Sequence, residues 1–298
     1  MLLRTLARPG RRWARTEMAG LDAETDAERI THLSAEVRYG DPAVAAALYT
    51  VAFCRQMAVP SIAEVVHRGG RGPIMRDTRK RNDDTLTFFG EFMRDGHSSE
   101  RGKAAIARLN EIHAPFPITN DQSLYTLASL ALEADRIPAL LGIDLMTDKE
   151  KQANFRFWTG VGTAMGITDI PDSYDELLAW TLAYEKAEFA HTQGGSAVAR
   201  AMIDDFGSRW LPRRLQFLAR SFVLAMCDDE LLDTHRIRRP ARSTRLAASI
   251  GLRAYALGRR ILPDHTDRSW SDHFGKEYGG CPHASDLGYK PRVRSGKV

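Results

Sequence analysis

Apolar residues recur at helical spacing along almost the whole sequence. In the segment 26–37, for example, Ile30, Leu33 and Val37 fall at i, i+3 and i+7, which places them on one face of an α-helix. No run of residues alternates polar and apolar side chains between hairpin turns, and no strand–helix repeat of the βαβ kind occurs. The sequence therefore predicts an all-α protein.

Prolines, glycines and capping residues divide this pattern into separate helices. Pro42 suits the first turn of a helix that runs to about Met57, and Thr147 to Glu150 has the sequence of a capping box. A helix over 121–134 is expected to end before Pro138, because proline cannot donate a helical hydrogen bond.

No linker rich in Pro, Gly or Ser divides the chain. We therefore expect a single large helical domain at 21–262. It is expected to follow a flexible basic segment at 1–20 and to precede an extended polar tail at 263–298.

Composition restricts the class of protein further. The three cysteines, Cys54, Cys227 and Cys281, are widely spaced and odd in number. They predict neither a disulfide framework nor a zinc site, and they favour a reducing, cytoplasmic location. The 42 Lys and Arg exceed the 38 Asp and Glu only slightly, and the two signs are interspersed. We therefore expect no nucleic-acid binding.

The first fifteen residues carry five arginines (Arg4, Arg8, Arg11, Arg12 and Arg15) and no acidic residue. Their apolar run is too short for a secretory signal. A solvated segment is the simplest interpretation. A transit-peptide-like segment and a peripheral contact with an anionic membrane surface are the alternatives.

Motifs of several large enzyme classes are absent from the sequence. The glycine clusters match neither a P-loop nor a dinucleotide-binding fingerprint, and no H-E-x-x-H or G-x-S-x-G motif occurs. His113 is the histidine that the pattern singles out, since it follows Ile106 and Leu109 on the apolar face of a predicted helix. Its ring is either hydrogen-bonded in the core or a buried ligand for haem iron.

Arg81 and Thr85 share one face of the preceding helix because they are four residues apart. They lead into an aromatic group, Phe88, Phe89 and Phe92, which is either ordinary core or an apolar wall for a substrate. Arg81 could equally be solvated, with Thr85 bonding back to a carbonyl. Glu133 and Arg136 are three residues apart and predict a partly buried ion pair of structural role.

An ordered set of short motifs resembles the MpaB/rubber-oxygenase family, and most closely its fungal-type branch. The resemblance extends over about residues 21–206. The motifs are V-P-S-I at 59–62, K-R-x-x-D-T at 80–85, S-E-R-x-x-x-A-I-A-R-L-N-x-x-H at 99–113, T-N-D-x-x-L-Y-T-L-x-x-x-A-L-E at 119–133, F-W at 157–158, M-G-I at 165–167 and W-x-x-x-Y-E at 180–185.

This resemblance implies a globin-like helical core around haem b, with dioxygen as co-substrate. The implied reaction is oxidative cleavage of a carbon–carbon double bond in a hydrophobic, often isoprenoid, small molecule. His113 matches the proximal iron ligand, and Arg81 and Thr85 match an Arg-x-x-x-Thr element that serves catalysis and cofactor binding. Asp84, grouped with them as catalytic, stands where rubber-cleaving members place a distal lysine, so no distal lysine ligand is expected.

Two further expectations bear on the same site. Glu64 lies near the position of a glutamate base in the rubber-cleaving members, but the sequence does not align it. The main alternative to an oxygenase is a non-catalytic haem-binding or gas-sensing protein on the same helical frame. The third hypothesis is a helical interaction protein without a cofactor.

Overall fold

The computed structural model describes residues 12–264 and 269–274, and within these ranges the secondary structure is helical, with no strand. The predicted all-α class is confirmed. The α-helices are α1 (Trp13–Ala19), α2 (Ala27–Thr31), α3 (Pro42–Met57), α4 (Pro60–His67), α5 (Pro73–Arg76), α6 (Thr78–Asp95), α7 (Glu100–His113), α8 (Asn120–Leu140), α9 (Asp148–Ala164), α10 (Tyr174–Glu188), α11 (Gln193–Trp210), α12 (Gln216–Ala225), α13 (Asp229–Thr234) and α14 (Arg242–Ile261). A π-helix at His32–Arg38 continues α2, and 3-10 helices occupy Arg68–Gly70, Arg213–Leu215 and Trp270–His273.

Several helices begin where the sequence predicts. Pro42 opens α3, and the Asp41 side chain accepts the otherwise unpaired backbone N–H groups of the first turn. Thr147 and Glu150 form the predicted capping box of α9. The prediction for α8 was wrong at its end, because the helix continues through Pro138. Ile137 and Pro138 are both buried there, and this packing offsets the one hydrogen bond that proline cannot make.

Two main apolar clusters lie on either side of α6. Leu86 belongs to the cluster formed mainly by α3, α4, α8, α11 and α12. Phe88 and Phe92 belong to the cluster formed by α6 to α10. Phe89 and Met93 pack against both clusters. Helix α6 therefore runs along the boundary between the two halves of the core.

The segments near the two ends of the described chain also pack. Ala14 and Met18 of α1 are buried in a third, smaller cluster with α2, and the Ala14 backbone N–H donates to Asp264 Oδ2 at 3.0 Å. Most of the basic segment predicted at 1–20 lies outside the described residues. Within the predicted polar tail, Trp270 and Phe274 are buried. The division into three segments remains a prediction.

The C-terminal 3-10 helix approaches α6 at Gly90. A Cβ atom at position 90 would lie 2.1 Å from the Ser271 Cβ, well inside van der Waals contact. The absence of a side chain at Gly90 is therefore what lets the two helices touch.

Within the described ranges, none of the helices is by itself both long and apolar enough to cross a membrane. The segments Pro42–Met57 and Pro60–Gly70 reach that length and composition only as a pair, which is bent by 109°.

Candidate functional site

Helix α6 presents a row of half-buried side chains at four-residue intervals. Arg81, Thr85, Phe89 and Met93 are each partly exposed, whereas Asn82–Asp84 and Leu86–Phe88 are buried. Asn82 donates to Asp205 of α11 at 2.8 Å, so the buried side of α6 is held by polar contacts as well as apolar ones. The half-buried row is thus the side of α6 that is left accessible after packing.

Arg81 and Thr85 are joined by hydrogen bonds in both directions. The Arg81 guanidinium donates through Nη1 to Thr85 Oγ1, and the Thr85 hydroxyl donates to the Arg81 carbonyl at 3.0 Å. The back-bonding considered for Thr85 from sequence therefore occurs together with a side-chain contact. The result is a guanidinium whose position is fixed by its own helix.

Tyr49 of α3 lies against this pair and was missed by the sequence analysis. Its hydroxyl is buried and makes no well-aligned hydrogen bond within the described residues, although Thr85 and Arg81 both lie beside it. Burial raises the pKa of the Tyr49 phenol above its ordinary value of 10.0, so the group keeps its proton. The site therefore holds a buried, protonated hydroxyl beside the Thr85 and Arg81 side chains.

His113 is the last residue of α7 and lies near the Arg81 guanidinium. Burial, assisted by that positive charge, lowers the pKa of His113 below 6.5, so the ring is neutral at pH 7. Within the described residues neither ring nitrogen of His113 makes a hydrogen bond, an ion pair or a ring contact. The imidazole thus offers a nitrogen lone pair with no competing partner.

The position of His113 differs in one respect from the expectation of a buried ring. The residue is half-buried at the end of α7. A ring that is to bind a cofactor needs such an open side.

The other described histidines already have partners. His67 accepts from the Gly70 backbone N–H at 3.3 Å, and His97 faces Glu28 at 3.1 Å. His191 contacts the Thr234 carbonyl at 3.0 Å, and His235 is buried with Nε2 2.8 Å from the Cys54 carbonyl. His32 lies at the Met93 backbone, although its buried Nδ1 makes no well-aligned hydrogen bond to a described residue, and His273 stacks on Trp210. These contacts set His113 apart.

The remaining predicted site residues are less closely associated with His113. The Asp84 carboxylate is buried and accepts from Lys80 Nζ at 3.1 Å through both oxygens; its contacts join it to Lys80 and not to Thr85. Glu64 is exposed on α4. Phe88 and Phe92 are core residues, 2% and 1% exposed, so only Phe89 contributes apolar surface to the half-buried row.

Haem b is the cofactor that the family resemblance implies, and the chemistry of this donor set fits it. Among the described residues no three His, Cys, Asp or Glu side chains converge on a metal position. Haem iron needs only one imidazole from the protein, and His113 is neutral, half-buried and without a partner. Arg81 adds a fixed cation suited to a propionate, and the buried Tyr49 hydroxyl beside it makes no well-aligned hydrogen bond within the described residues.

A second polar cluster lies in the core away from His113. Arg55 of α3 pairs with Glu133 at 2.6 Å and contacts Glu185 at 3.5 Å and Asp228. Arg136 pairs with Glu185 at 2.8 Å and with Glu133 at 3.4 Å, which confirms the predicted Glu133–Arg136 pair and places it within a larger network.

This cluster, which we call the Arg55 cluster, sets three carboxylates against two guanidinium groups. Burial raises the pKa of Glu133, although both arginines act in the opposite direction. A cavity of about 260 Å³ adjoins the cluster, and its lining is Arg55, Arg136, Ile137, Ala139, Leu140, Met226 and Asp228. None of these residues belongs to the Arg81–His113 site, so the cavity is a separate feature.

Comparison with known proteins gives three related results. Residues 37–260 match the profile of a family described as the catalytic domain of ER-bound oxygenase mpaB/B′ and rubber oxygenase. A 121-residue stretch is 27% identical to the ER-bound oxygenase mpaB of Penicillium roqueforti (strain FM164), covering 39% of this chain and 41% of that protein. The same identity and length relate it to mpaB and mpaB′ of Penicillium brevicompactum, where the match covers 31% and 29% of the relatives.

The matched stretch thus spans less than half of each of these relatives. Among solved structures, latex clearing protein LCP in the closed state superposes with a TM-score of 0.65 at 17% identity. The superposition covers 84% of this chain and 73% of that one. At this identity the similarity shows a shared helical fold.

Proposed function

The chain belongs to the mpaB/B′ and rubber oxygenase family, and from that membership we propose that it is a haem b-dependent oxygenase of a hydrophobic small molecule. The specific reaction proposed is cleavage of a carbon–carbon double bond, in which one dioxygen molecule is consumed and two carbonyl groups are formed. The observation that carries the proposal is His113, a neutral imidazole without a partner beside Arg81.

Haem b, when bound, supplies the one-electron and dioxygen chemistry that amino-acid side chains do not provide. His113 would hold the iron through a ring nitrogen. The lowered pKa of His113 keeps that nitrogen unprotonated at pH 7, so binding requires no loss of a proton from the ring.

Arg81 has donors to spare after its bond to Thr85. A guanidinium carries five N–H groups in a fixed plane, and only one of them reaches the Thr85 hydroxyl. The others can hold a carboxylate such as a haem propionate, or place a positive charge beside the reacting oxygen. Tyr49 adds a protonated hydroxyl next to the same pair.

The side chains farther along the α6 row fit an apolar substrate. Phe89 and Met93 are half-buried between the two core clusters, and Phe89 packs edge-on against Trp158 with ring centroids 6.0 Å apart. The half-buried row therefore changes from polar at Arg81 to apolar at Met93 along one line.

The experiment is haem quantification on purified protein supplied with haem, comparing wild type with His113→Ala and, as a matched control, His191→Ala. We expect about one haem per chain in wild type and in the control, and at least a tenfold loss in His113→Ala. External imidazole should restore haem to His113→Gly. An unchanged Soret band in His113→Ala would refute the ligand assignment.

Catalysis is tested separately from haem binding. Uptake of dioxygen with an isoprenoid alkene, together with carbonyl products trapped by a hydrazine, supports the oxygenase. Stoichiometric haem without turnover of any alkene would instead indicate the haem-binding or gas-sensing alternative.

A further inference from the structure

Helix α14 has two apolar faces, and only one of them packs against the protein. Ala248, Leu252 and Ala256 are buried at four-residue spacing. Leu246, Ile250, Leu257 and Ile261 lie on the opposite side of the helix, because their positions are rotated by about 150° from that buried row. These four side chains are 62%, 59%, 57% and 59% exposed.

The neighbouring helix α12 contributes more exposed apolar surface. It packs against α14, and near its start Leu215, Phe217 and Leu218 are 43%, 59% and 49% exposed. Together with Leu215 and Leu262 at their ends, these two helices supply eight of the ten large apolar residues that are most exposed among the described residues. Single exposed leucines are ordinary, but such a concentration on two adjacent helices indicates a binding surface.

Helices α12 and α14 and their immediate flanks are basic and free of acids, whereas the segment 228–233 between them holds four acids. Residues 206–227 contain four arginines and no Asp or Glu, and residues 234–263 contain eight arginines and again no Asp or Glu. Some of these arginines have local partners, such as Arg239 with Asp229 and Asp233. Arg242, Arg253 and Arg260 are exposed and form no ion pair within the described residues.

These three arginines are also aligned. Their spacing of 11 and 7 residues brings them to one flank of the exposed apolar stripe on α14, since both numbers are close to whole turns of a helix. An apolar stripe bordered by a row of arginines is the pattern of a helix that lies in a membrane interface. The apolar side chains of such a helix reach the acyl boundary, and its arginines reach the phosphates.

We propose that the exposed face of α12 and α14 docks on an anionic lipid bilayer. The apolar stripe would enter the boundary between headgroups and acyl chains, and Arg242, Arg253 and Arg260 would lie at the phosphate level. A second copy of the chain is disfavoured as occupant, because a two-fold interface brings the same surface of both copies together, and α12 and α14 offer no Asp or Glu to pair with the arginines of the other copy. The proposal does not depend on haem or on the reaction proposed above.

The experiment is vesicle flotation of the full chain. Wild type should bind vesicles of phosphatidylcholine with about 30% phosphatidylglycerol at least about tenfold more strongly than neutral vesicles, and high salt should weaken the binding. The variant Leu246→Ser/Ile250→Ser/Leu257→Ser and the variant Arg242→Glu/Arg253→Glu/Arg260→Glu should each lose about tenfold or more.

Matched controls change equivalent residues elsewhere on the surface. Leu182→Ser replaces an exposed leucine on α10, and Arg76→Glu/Lys103→Glu/Lys186→Glu makes the same change of charge at exposed positions. Both controls should bind like wild type. Circular dichroism checks that every variant is folded, as the exposure of the substituted side chains leads us to expect.

Three results would overturn the proposal. The first is absence of binding to anionic vesicles by wild type. The second is unchanged binding by both α14 variants, which would place the contact elsewhere, for example in the basic N-terminal segment. The third is a lipid-independent dimer of wild type that the leucine variant abolishes, which would make a second copy the occupant.

Discussion

The Thr85 hydroxyl takes part in two hydrogen bonds, one received from the Arg81 guanidinium and one donated to the Arg81 carbonyl. It therefore ties the side chain of Arg81 to the backbone of the same helical turn. In the proposed oxygenase, Thr85 positions the guanidinium without needing to touch the iron.

We expect Thr85→Val to keep haem and to lower the turnover rate by roughly tenfold to a hundredfold, because Arg81 loses its anchor while the shape of the residue is kept. Thr85→Ser should restore most of the rate. The haem content and the turnover number are measured on the same preparations. Loss of haem in Thr85→Val would contradict a positioning role.

Glu36 is a second residue whose environment has a measurable consequence. Its carboxyl group is buried beneath the C-terminal 3-10 helix, beside Ser269 and the Trp270 backbone, and burial raises its pKa from 4.5 to about 7. The nearby Arg94 acts in the opposite direction, and Asp272 acts in the same direction as burial.

The folded chain therefore holds a proton on Glu36 that the unfolded chain releases above pH 4.5. This group's contribution to the free energy of unfolding falls as pH rises from about 4.5 to 7. By pH 8 it has lowered the free energy of unfolding by about 3 kcal/mol relative to its value well below pH 4.5. Glu36→Gln should remove that fall, so the variant gains stability over wild type at pH 8 but not at pH 4.5. Urea unfolding at both pH values is the measurement, with the exposed Glu188→Gln as control. Equal gains at both pH values would show that Glu36 does not titrate.

At the scale of single residues, the sequence predicts only side-chain contacts between residues that are close together in the chain. The pairing of Arg81 with Thr85 follows from their four-residue spacing, and so does the contact of Glu133 with Arg136 at three residues. Tyr49 was not predicted, because it reaches Thr85 from a helix more than thirty residues away. Arg55 could have been noticed as the one charge within the apolar run of α3, since a charge there requires a buried partner.

Among the helices, α6 connects most of the features described above. It borders both core clusters, presents the half-buried row and receives the C-terminal 3-10 helix at Gly90. The sequence predicts a helix here from its periodicity, but the reason for a glycine in its interior appears only in the packing against Ser271.

Two glycine substitutions distinguish packing from helix propensity. Gly90→Ala should lower the free energy of unfolding by roughly 1–3 kcal/mol, because its Cβ would clash with Ser271. Gly251→Ala, in α14 with no atom within 4 Å of the added Cβ, should instead stabilise by up to about 1 kcal/mol. Thermal and urea unfolding of both variants are compared. A stabilised Gly90→Ala variant would mean that the 3-10 helix does not pack there in solution.

Helix ends show where local rules succeed and where they fail. The capping box of α9 and the proline start of α3 depend on neighbouring residues, and both were predicted. The continuation of α8 through Pro138 depends on burial of Ile137 and on Arg136 reaching Glu185 of α10. Such contacts are invisible in the sequence of the helix itself.

On the scale of the whole molecule, the Arg55 cluster joins elements that are distant in the chain. Arg55 lies on α3, Glu133 and Arg136 on α8, Glu185 on α10, and Asp228 caps α13. Tyr125 also donates to Glu185 at 3.1 Å. The network therefore holds together helices that the sequence predicts individually, whereas it does not predict how they pack against one another.

Removing the central cation should destabilise the protein as a whole. Arg55→Met leaves buried carboxylates without their partner, and we expect a loss of about 3–5 kcal/mol in the free energy of unfolding. Lys103→Met, which breaks an exposed pair with Glu100, should cost less than about 1 kcal/mol. Urea unfolding followed by circular dichroism gives both values. Similar losses in the two variants would show that the buried network is energetically no different from a surface pair.

The hydrogen bond from the Ala14 backbone to Asp264 has a topological consequence. It brings residues near the beginning and the end of the helical domain into contact, so the order of the helices forms a nearly closed ring. A circular permutant could rejoin the chain through a spacer placed after the C-terminal 3-10 helix, so that the buried Trp270 and Phe274 are kept, and open the chain at the exposed turn around Thr168 and Asp169. The identity of the first helix is then a matter of where the ring is cut, and the contacts described above are independent of that choice.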